Sequence, residues 1–344
     1  MSTTSFAVLA KARAKYGRFL SEHDYDGILA CQSVPEVMVY LKTYTHFAPI
    51  LSGVDEREVH RGRLETLLRQ YQFNEFDSMC RYDSSVSEGF SRFVIERTEV
   101  EQLVHFMVLL NSQSTDTFIF RFPAFLAKHT EIDFERLATV NDYSTFLDVI
   151  AHTSYHEELK KYRPDNKGRL PVARIENNLY GLIFDHMIAF INKKTKGTER
   201  QELTDIFRKL YDLHMISRII RLKRYYHMPP EQIRATVTPE RSGLSKKMIK
   251  RMCEAETAED VYRIVNDSKY ARLVSNAGTE YQGDIGPRVQ YQIAKRKLHF
   301  SNNPSVVMIS FMFLSETELM NVICMIEGIR YQVDPKTIRS MLIR

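Results

Sequence analysis

The sequence predicts an all-α fold made of three copies of one helical unit, and three observations lead there. Glycine and proline are scarce, 13 and 11 in 344 residues, which disfavours an all-β fold with its many tight turns. Apolar residues recur at helical spacing, and no stretch of sustained two-residue alternation competes with that period. Short anchors return in the same order at intervals of about 110 residues, the mark of a repeat architecture.

The first anchor is a segment that opens on a small polar residue and ends in an aromatic followed four residues later by an aliphatic. It runs from Ser33 to Phe47/Leu51, from Asn141 to Tyr155/Leu159 and from Thr257 to Tyr270/Val274, with the aromatics 108 and 115 residues apart. Ser33 with Glu36 predicts a capping box, and Pro35 falls where the first helical turn tolerates it. The second anchor is Arg–aliphatic–Glu/Gln–x–x–aliphatic. It appears at Arg63-Leu64-Glu65 with Leu68, at Arg174-Ile175-Glu176 with Leu179, and at Arg288-Val289-Gln290 with Ile293, separated by 111 and 114 residues. Leu64, Leu67, Leu68 and Tyr71 there follow the spacing of one helix face.

The third anchor is an acid that opens an apolar stripe at +1, +4, +5 and +8. Glu99 precedes Val100, Leu103, Val104 and Met107; Asp212 precedes Leu213, Ile216, Ser217 and Ile220; Glu318 precedes Leu319, Val322, Ile323 and Ile326. These acids lie 113 and 106 residues apart. Breaks fall at Pro164 to Gly168, at Met228-Pro229-Pro230 and at Gly283 to Pro287. The expected units are 1–125, 126–240 and 241–344, each a small bundle of three or four helices that bury apolar faces against one another.

Composition narrows the function. At 44% hydrophobic and 26% charged, the chain is a folded one rather than a disordered one. A net charge of +5 does not by itself imply nucleic acid. Basic residues do gather between Arg218 and Arg251, ten of them against Glu231 and Glu240 alone. Cys31, Cys80, Cys253 and Cys324 form no CxxC pair and read as reduced, buried thiols. The N-terminus, broken by Lys11, Arg13 and Lys15, has no signal-peptide pattern. The longest apolar run, Val306 to Leu314 with Ser310 inside it, falls short of the about 20 residues that a span needs, so the chain is expected not to cross a membrane.

A search for chemistry finds no constellation. There is no phosphate-binding GxxxxGK[ST] loop, no GxGxxG and no GxSxG elbow. His152 and His156 are spaced as helical metal ligands, but Thr153 stands where a zinc protease needs Glu, and a third ligand is lacking. The pairs Arg63/Glu65 and Arg174/Glu176 are two residues apart, so on a helix they face different neighbours rather than each other. The expectation is no catalytic residue, no metal and no cofactor.

The C-terminal stretch resembles the closing segment of the V-type ATPase subunit d family, which also includes the C-type subunit of archaeal and bacterial V/A-type ATPases. The resemblance rests on Asn303-Pro304, Ser315-Glu316-Thr317-Glu318-Leu319-Met320-Asn321-Val322-Ile323 and Glu327-Gly328-Ile329-Arg330. In that family an apolar helix likewise runs into an acid, an Asn three residues on, and a closing glycine with a basic residue. The Asn occurs here only in the third unit, with Gln102 and Met215 at the matching places of the first and second, and Gln290 replaces the Glu of the other two copies. The resemblance implies three pseudo-threefold helical units forming a funnel-like body. Its implied partners are the membrane rotor ring and the central axle of the ATPase, with the membrane surface close by. Such a protein works at the cytoplasmic face of the membrane as a peripheral, non-catalytic central-stalk subunit that couples rotation to H+ or Na+ transport, with no nucleic acid expected.

Arg221, Lys223, Arg224 and Arg330 are the candidate partner-interface residues. The alternative is a helical-repeat scaffold that binds RNA or protein through the basic 218–251 segment, where Tyr225 and Tyr226 could stack on bases. A rotor subunit would spread its contacts over three related units, whereas an RNA binder would concentrate them on one basic stripe.

Overall fold

The computed structural model describes residues 3–81, 84–115, 129–271 and 285–344, and among the described residues every regular element is helical. In chain order the first helices are α1 (Thr3–Tyr16), α2 (Glu22–Leu29), α3 (Val34–Tyr44), α4 (Ala48–Leu51), α5 (Arg61–Cys80) and α6 (Ser84–Asn111). Next come α7 (Phe134–Leu137), α8 (Tyr143–Val149), α9 (His156–Leu159), α10 (Val172–Lys194), α11 (Gly197–Tyr226) and α12 (Pro230–Arg234). The chain closes with α13 (Lys246–Glu254), α14 (Ala258–Asn266), α15 (Ile285–Phe300), α16 (Pro304–Arg330) and α17 (Pro335–Met341).

Caps explain where these helices begin. Ser21, Asp133 and Ser245, spaced 112 and 112 residues apart, each accept the backbone N–H three residues on and start α2, α7 and α13. Ser33, Asp142 and Thr257 do the same for α3, α8 and α14. In the sequence pattern the middle segment opens at Asn141. The cap is Asp142, and the Asn141 side chain instead accepts from Thr115 Oγ1 at 2.7 Å. The expected Ser33/Glu36 box is shifted as well: Glu36 accepts from the Gln32 N–H, one residue earlier. Reciprocal capping boxes occur at Ser21/Asp24 and Thr257/Asp260. The long helices keep step too: α5, α10 and α15 start at 61, 172 and 285, and α6, α11 and α16 at 84, 197 and 304. Val274, Gly283 and the expected boundary at 125/126 lie outside the described residues.

By contact the chain divides into two compact units, neither of them one stretch of sequence. One holds 1–87, 195–206 and 261–344; the other holds 88–194 and 207–260.

In the first unit α16 is the central element and packs on α1, α2, α3, α5, α15 and α17. Its Leu319, Val322, Met325 and Ile326 meet Ile28, Val37, Leu41, Leu64 and Leu68 in one core. By length and composition α16 could cross a membrane, but 78% of its most apolar window is buried inside the structure, which accounts for its hydropathy. Gly328 lets α17 approach: a Cβ there would lie 2.5 Å from Ile338 Cδ1.

In the second unit α6, α10 and α11 supply buried aromatics, with Phe93 edge-on to Phe184 and Phe207 at 5.9 and 5.1 Å. Val100, Leu103, Leu213, Ile216 and Ile220 of the predicted stripes are all buried.

Candidate partner interface

The three acids that open the apolar stripes are all buried, with Glu99, Asp212 and Glu318 at 6%, 0% and 5% exposure. A buried carboxylate must be held by donors or it destabilises the fold. The donors follow a pattern. Glu318 accepts the backbone N–H of Leu20 at 2.6 Å and lies 3.0 Å from His46 Nε2. Glu99 accepts Thr130 Oγ1 at 2.6 Å and the Tyr155 hydroxyl at 2.5 Å. Asp212 accepts the Gly243 N–H at 2.9 Å and the Ser242 hydroxyl. Leu20, Thr130 and Ser242 stand 110 and 112 residues apart. Each acid therefore ties its helix to the segment that opens the next stretch of the pattern, and Glu318 ties the end of the chain to its beginning.

These junctions differ in charge chemistry. Burial pushes the Glu99 carboxyl above its ordinary range, against the hydrogen bonds from Thr130 and Tyr155, which favour the ionised form. Burial and then the Glu99 charge raise the Tyr155 phenol far above its usual range. His46 stands before the Phe47 anchor, and no pattern in the sequence singles it out. Its partner is 272 residues away, and no local spacing signals that pair.

The basic segment does not form a continuous stripe. Arg218 is 2% exposed, inside the second unit. Lys223 is buried as well: its ammonium donates to the Cys253 carbonyl at 2.8 Å and to that of Ala255, closing the C-terminus of α13. It is therefore not displayed for a partner. Arg224 bonds Glu259 at 2.8 Å, Lys246 bonds Glu240 at 3.0 Å, and Lys250 pairs with Glu254. Arg221 is half-exposed and bonds both carboxylate oxygens of Glu176 at 3.1 and 3.2 Å. Arg330, also half-exposed, pairs with Glu327 and lies 5.2 Å from the Tyr331 ring centroid. Of the four predicted interface residues, Arg221 and Arg330 present the most side-chain surface.

Sequence reasoning missed a shared feature of the helix ends. Among the described residues the non-glycine residues with positive φ are Gln113, His227 and Gln332, at 55°, 46° and 53°. Each follows the end of α6, α11 or α16, in the left-handed position where glycine is usual. Ser114 and Val333 then bond back five residues, to Leu109 at 3.0 Å and Gly328 at 2.8 Å, while Met228 reaches Leu222 at 3.2 Å. Beside two of these caps stand exposed tyrosines, Tyr225 and Tyr226 at 69% and 67% and Tyr331 at 68%. Gln and His carry no left-handed signature in sequence, so the turns could not be read there.

Among the described residues no group of three or more His, Cys, Asp or Glu is placed to hold a metal. His152 lies in a turn and bonds the Glu131 carbonyl at 2.7 Å, while His156 opens α9, so the two do not share a helix face. Glu65 pairs with Arg61 and Arg69, and Glu176 with α11, as their two-residue offset from arginine suggested. The first unit has a cavity of 490 Å³ beside Arg18, His46, Tyr71 and Glu75, and the second has one of 250 Å³ beside Arg92, Glu96, Glu99 and His129. Both open beside the acid junctions.

Residues 8–341 match the family model of the ATP synthase (C/AC39) subunit, and the chain belongs to that family. No match was found among curated proteins. Family membership makes the chain a subunit of a membrane-associated V/A-type ATPase.

Proposed function

We propose that this chain is a non-catalytic coupling subunit of a V/A-type rotary ATPase, seated between the central axle and the membrane rotor ring on the cytoplasmic side. The observation that carries this reading is the family match, which runs over residues 8–341 and so embraces nearly all of the chain. The work of such a subunit is mechanical: it must transmit torque without slipping and without deforming. Densely packed helices supply stiffness, because an interior at close-packed density has little room to yield. The three-copy reading fits the same task. An acid at the head of each stripe engages the opening of the next copy, so strain applied to one copy is handed to its neighbour through a buried bond. Resistance to slipping asks for a broad contact rather than one strong residue, and Arg221, Arg330 and the tyrosines beside the helix caps are the surface we assign to it.

The test is a reconstitution with and without this subunit. The soluble head should hydrolyse ATP in both cases, whereas ATP-driven ion transport across the membrane should require the subunit. Full transport in its absence, or hydrolysis that follows the isolated subunit through purification, would overturn the proposal.

A further inference from the structure

Arg218 is anomalous within the second unit. Its side chain is 1% exposed, and its Nε, Nη1 and Nη2 atoms are all closed to solvent with no hydrogen-bond partner. The nearest carboxylate, Glu176, lies 3.6 Å from Nη1, beyond hydrogen-bond range. That carboxylate turns both oxygens towards Arg221, which is half-exposed. A buried guanidinium without acceptors is unfavourable, whereas an exposed ion pair contributes little. Glu176, the acid that faces both arginines, is thus engaged with the one that needs it less.

The other groups around Arg218 do not relieve it. His214 Nε2 is likewise closed off and unpartnered, and burial together with Arg218 and Arg221 holds that imidazole neutral, its pKa lowered to about 3. The Tyr180 ring lies 4.3 Å from that of His214, tilted by 39°, without bonding the guanidinium. Burial draws the Arg218 pKa down to about 10, against the attraction of Glu176.

We propose that Arg221 is the anion-receiving residue of the docking surface, and that an acidic side chain of a partner subunit takes it from Glu176, whose carboxylate passes to Arg218 behind it. A displacement of roughly 1 Å closes the Glu176–Arg218 gap to charge-assisted bonding distance. The incoming group replaces a carboxylate, which Arg221 already holds by both oxygens, so a carboxylate on the partner fits the same donors. The exchange also explains why Arg221 differs from Lys223. Lys223 closes a helix end of its own unit and would leave carbonyls bare if it moved, while the acid that Arg221 releases has a buried cation waiting. The nature of the partner rests on the coupling-subunit reading; the internal hand-over does not.

Two measurements on the full chain separate these parts. In urea unfolding, R221Q should keep the wild-type midpoint, because Glu176 gains Arg218. The coupling between positions 176 and 218, read from E176Q, R218M and the double variant, should grow several-fold when R221Q is the background. A midpoint that falls in R221Q, or an unchanged coupling, overturns the hand-over whatever the partner is. In binding to the ATPase complex stripped of this subunit, R221Q should lose roughly tenfold in affinity. R218M should fold and yet bind several-fold more weakly, although Arg218 is buried. If wild type assembles and both variants match it, the inference fails while the coupling reading stands. If wild type does not assemble, the coupling reading fails and the urea measurements still decide the hand-over. Arg221-dependent binding to phosphatidylglycerol vesicles, with assembly into the complex unchanged by R221Q, would assign the residue to lipid and overturn the acidic-subunit partner.

Discussion

Helices α11 and α16 hold matching places in the sequence pattern, yet they differ in how their fully buried charges are held. On α16 the fully buried polar side chains are satisfied, and the closed-off atoms without a hydrogen bond, Glu316 Oε2 and Glu327 Oε2, belong to half-buried residues. Ser310 and Thr317 bond carbonyls of their own helix at 2.7 and 2.9 Å, Glu318 holds Leu20 and His46, and Asn321 takes both backbone groups of Ile343 at 2.7 and 2.8 Å. On α11 Asp212 and Lys223 are satisfied, but Arg218 and His214 Nε2 are not. A helix whose fully buried side chains are settled is a structural spine. One with buried donors left open departs from the rule that folding alone would enforce, and such departures concentrate where a protein does its work. Helix α16 therefore reads as the anchor of its unit, and α11 as the responsive element of its own.

The largest expected effect tests what the two helices share. V322D places a carboxylate in a fully buried position of the α16 stripe, and the matched changes are L103D and I216D, also fully buried. Each should cost about 4 kcal/mol or more, because an unpaired charge enters an apolar core. Unfolding by urea or heat measures it. Wild-type stability in any one of the three would break the equivalence of the stripes at that copy.

A middle-sized effect sharpens the contrast at the acids. E318A removes the acceptor of the Leu20 N–H and the partner of His46 at once, and should destabilise by roughly 2–4 kcal/mol. D212A leaves the Gly243 N–H and the Ser242 hydroxyl without that acceptor and should fall in the same range. Differential scanning calorimetry of both variants checks the pair. If E318A proves neutral while D212A does not, the chain's end is not held to its beginning by this bond, and α16 loses its claim as the anchor.

What was legible in the sequence follows from range. The stripes could be read because a helix face repeats within eight residues, and Val100, Leu103, Leu213, Ile216, Leu319 and Val322 are buried as that period requires. Cap residues were legible to within a residue, since Asn141 and Asp142 are both good caps and only the backbone decides between them. The fate of charges was not legible. Lys223 meets carbonyls 30 and 32 residues away, Arg224 an acid 35 away, and Glu318 a histidine 272 away, and nothing local announces such partners. Reading the basic run as one exposed face failed for that reason: helical spacing gives direction, but not what waits across the interface. The hydropathy of α16 was understated by counting a run that stops at Ser315, because polar residues beyond it such as Thr317 bond their own helix and the apolar series resumes at Leu319.

The smallest expected effect bears on why the stripes tolerate an interruption. Ser217 breaks the apolar series of α11 where Val104 and Ile323 continue it in α6 and α16. In all three helices this +5 position is only half-buried, whereas +1 and +4 are buried throughout. The position lies at the edge of the stripe, where a hydroxyl keeps contact with polar surroundings and a methyl group gains little. S217V restores the residue found at the matching place in α6. It should shift stability by no more than about 0.5 kcal/mol in either direction, the range of substitutions away from a packed core. I216S, one residue earlier and fully buried, should by contrast cost about 3 kcal/mol through the lost apolar contact and the cavity left behind. The ratio between neighbours, measured by urea unfolding of the two variants side by side, is the sensitive quantity, since it depends on register and not on the overall stability of the unit. A loss above about 1 kcal/mol in S217V would mean that the hydroxyl carries a bond the fold depends on, and Ser217 would then stand with Asp212 and Lys223 among the settled polar groups of α11.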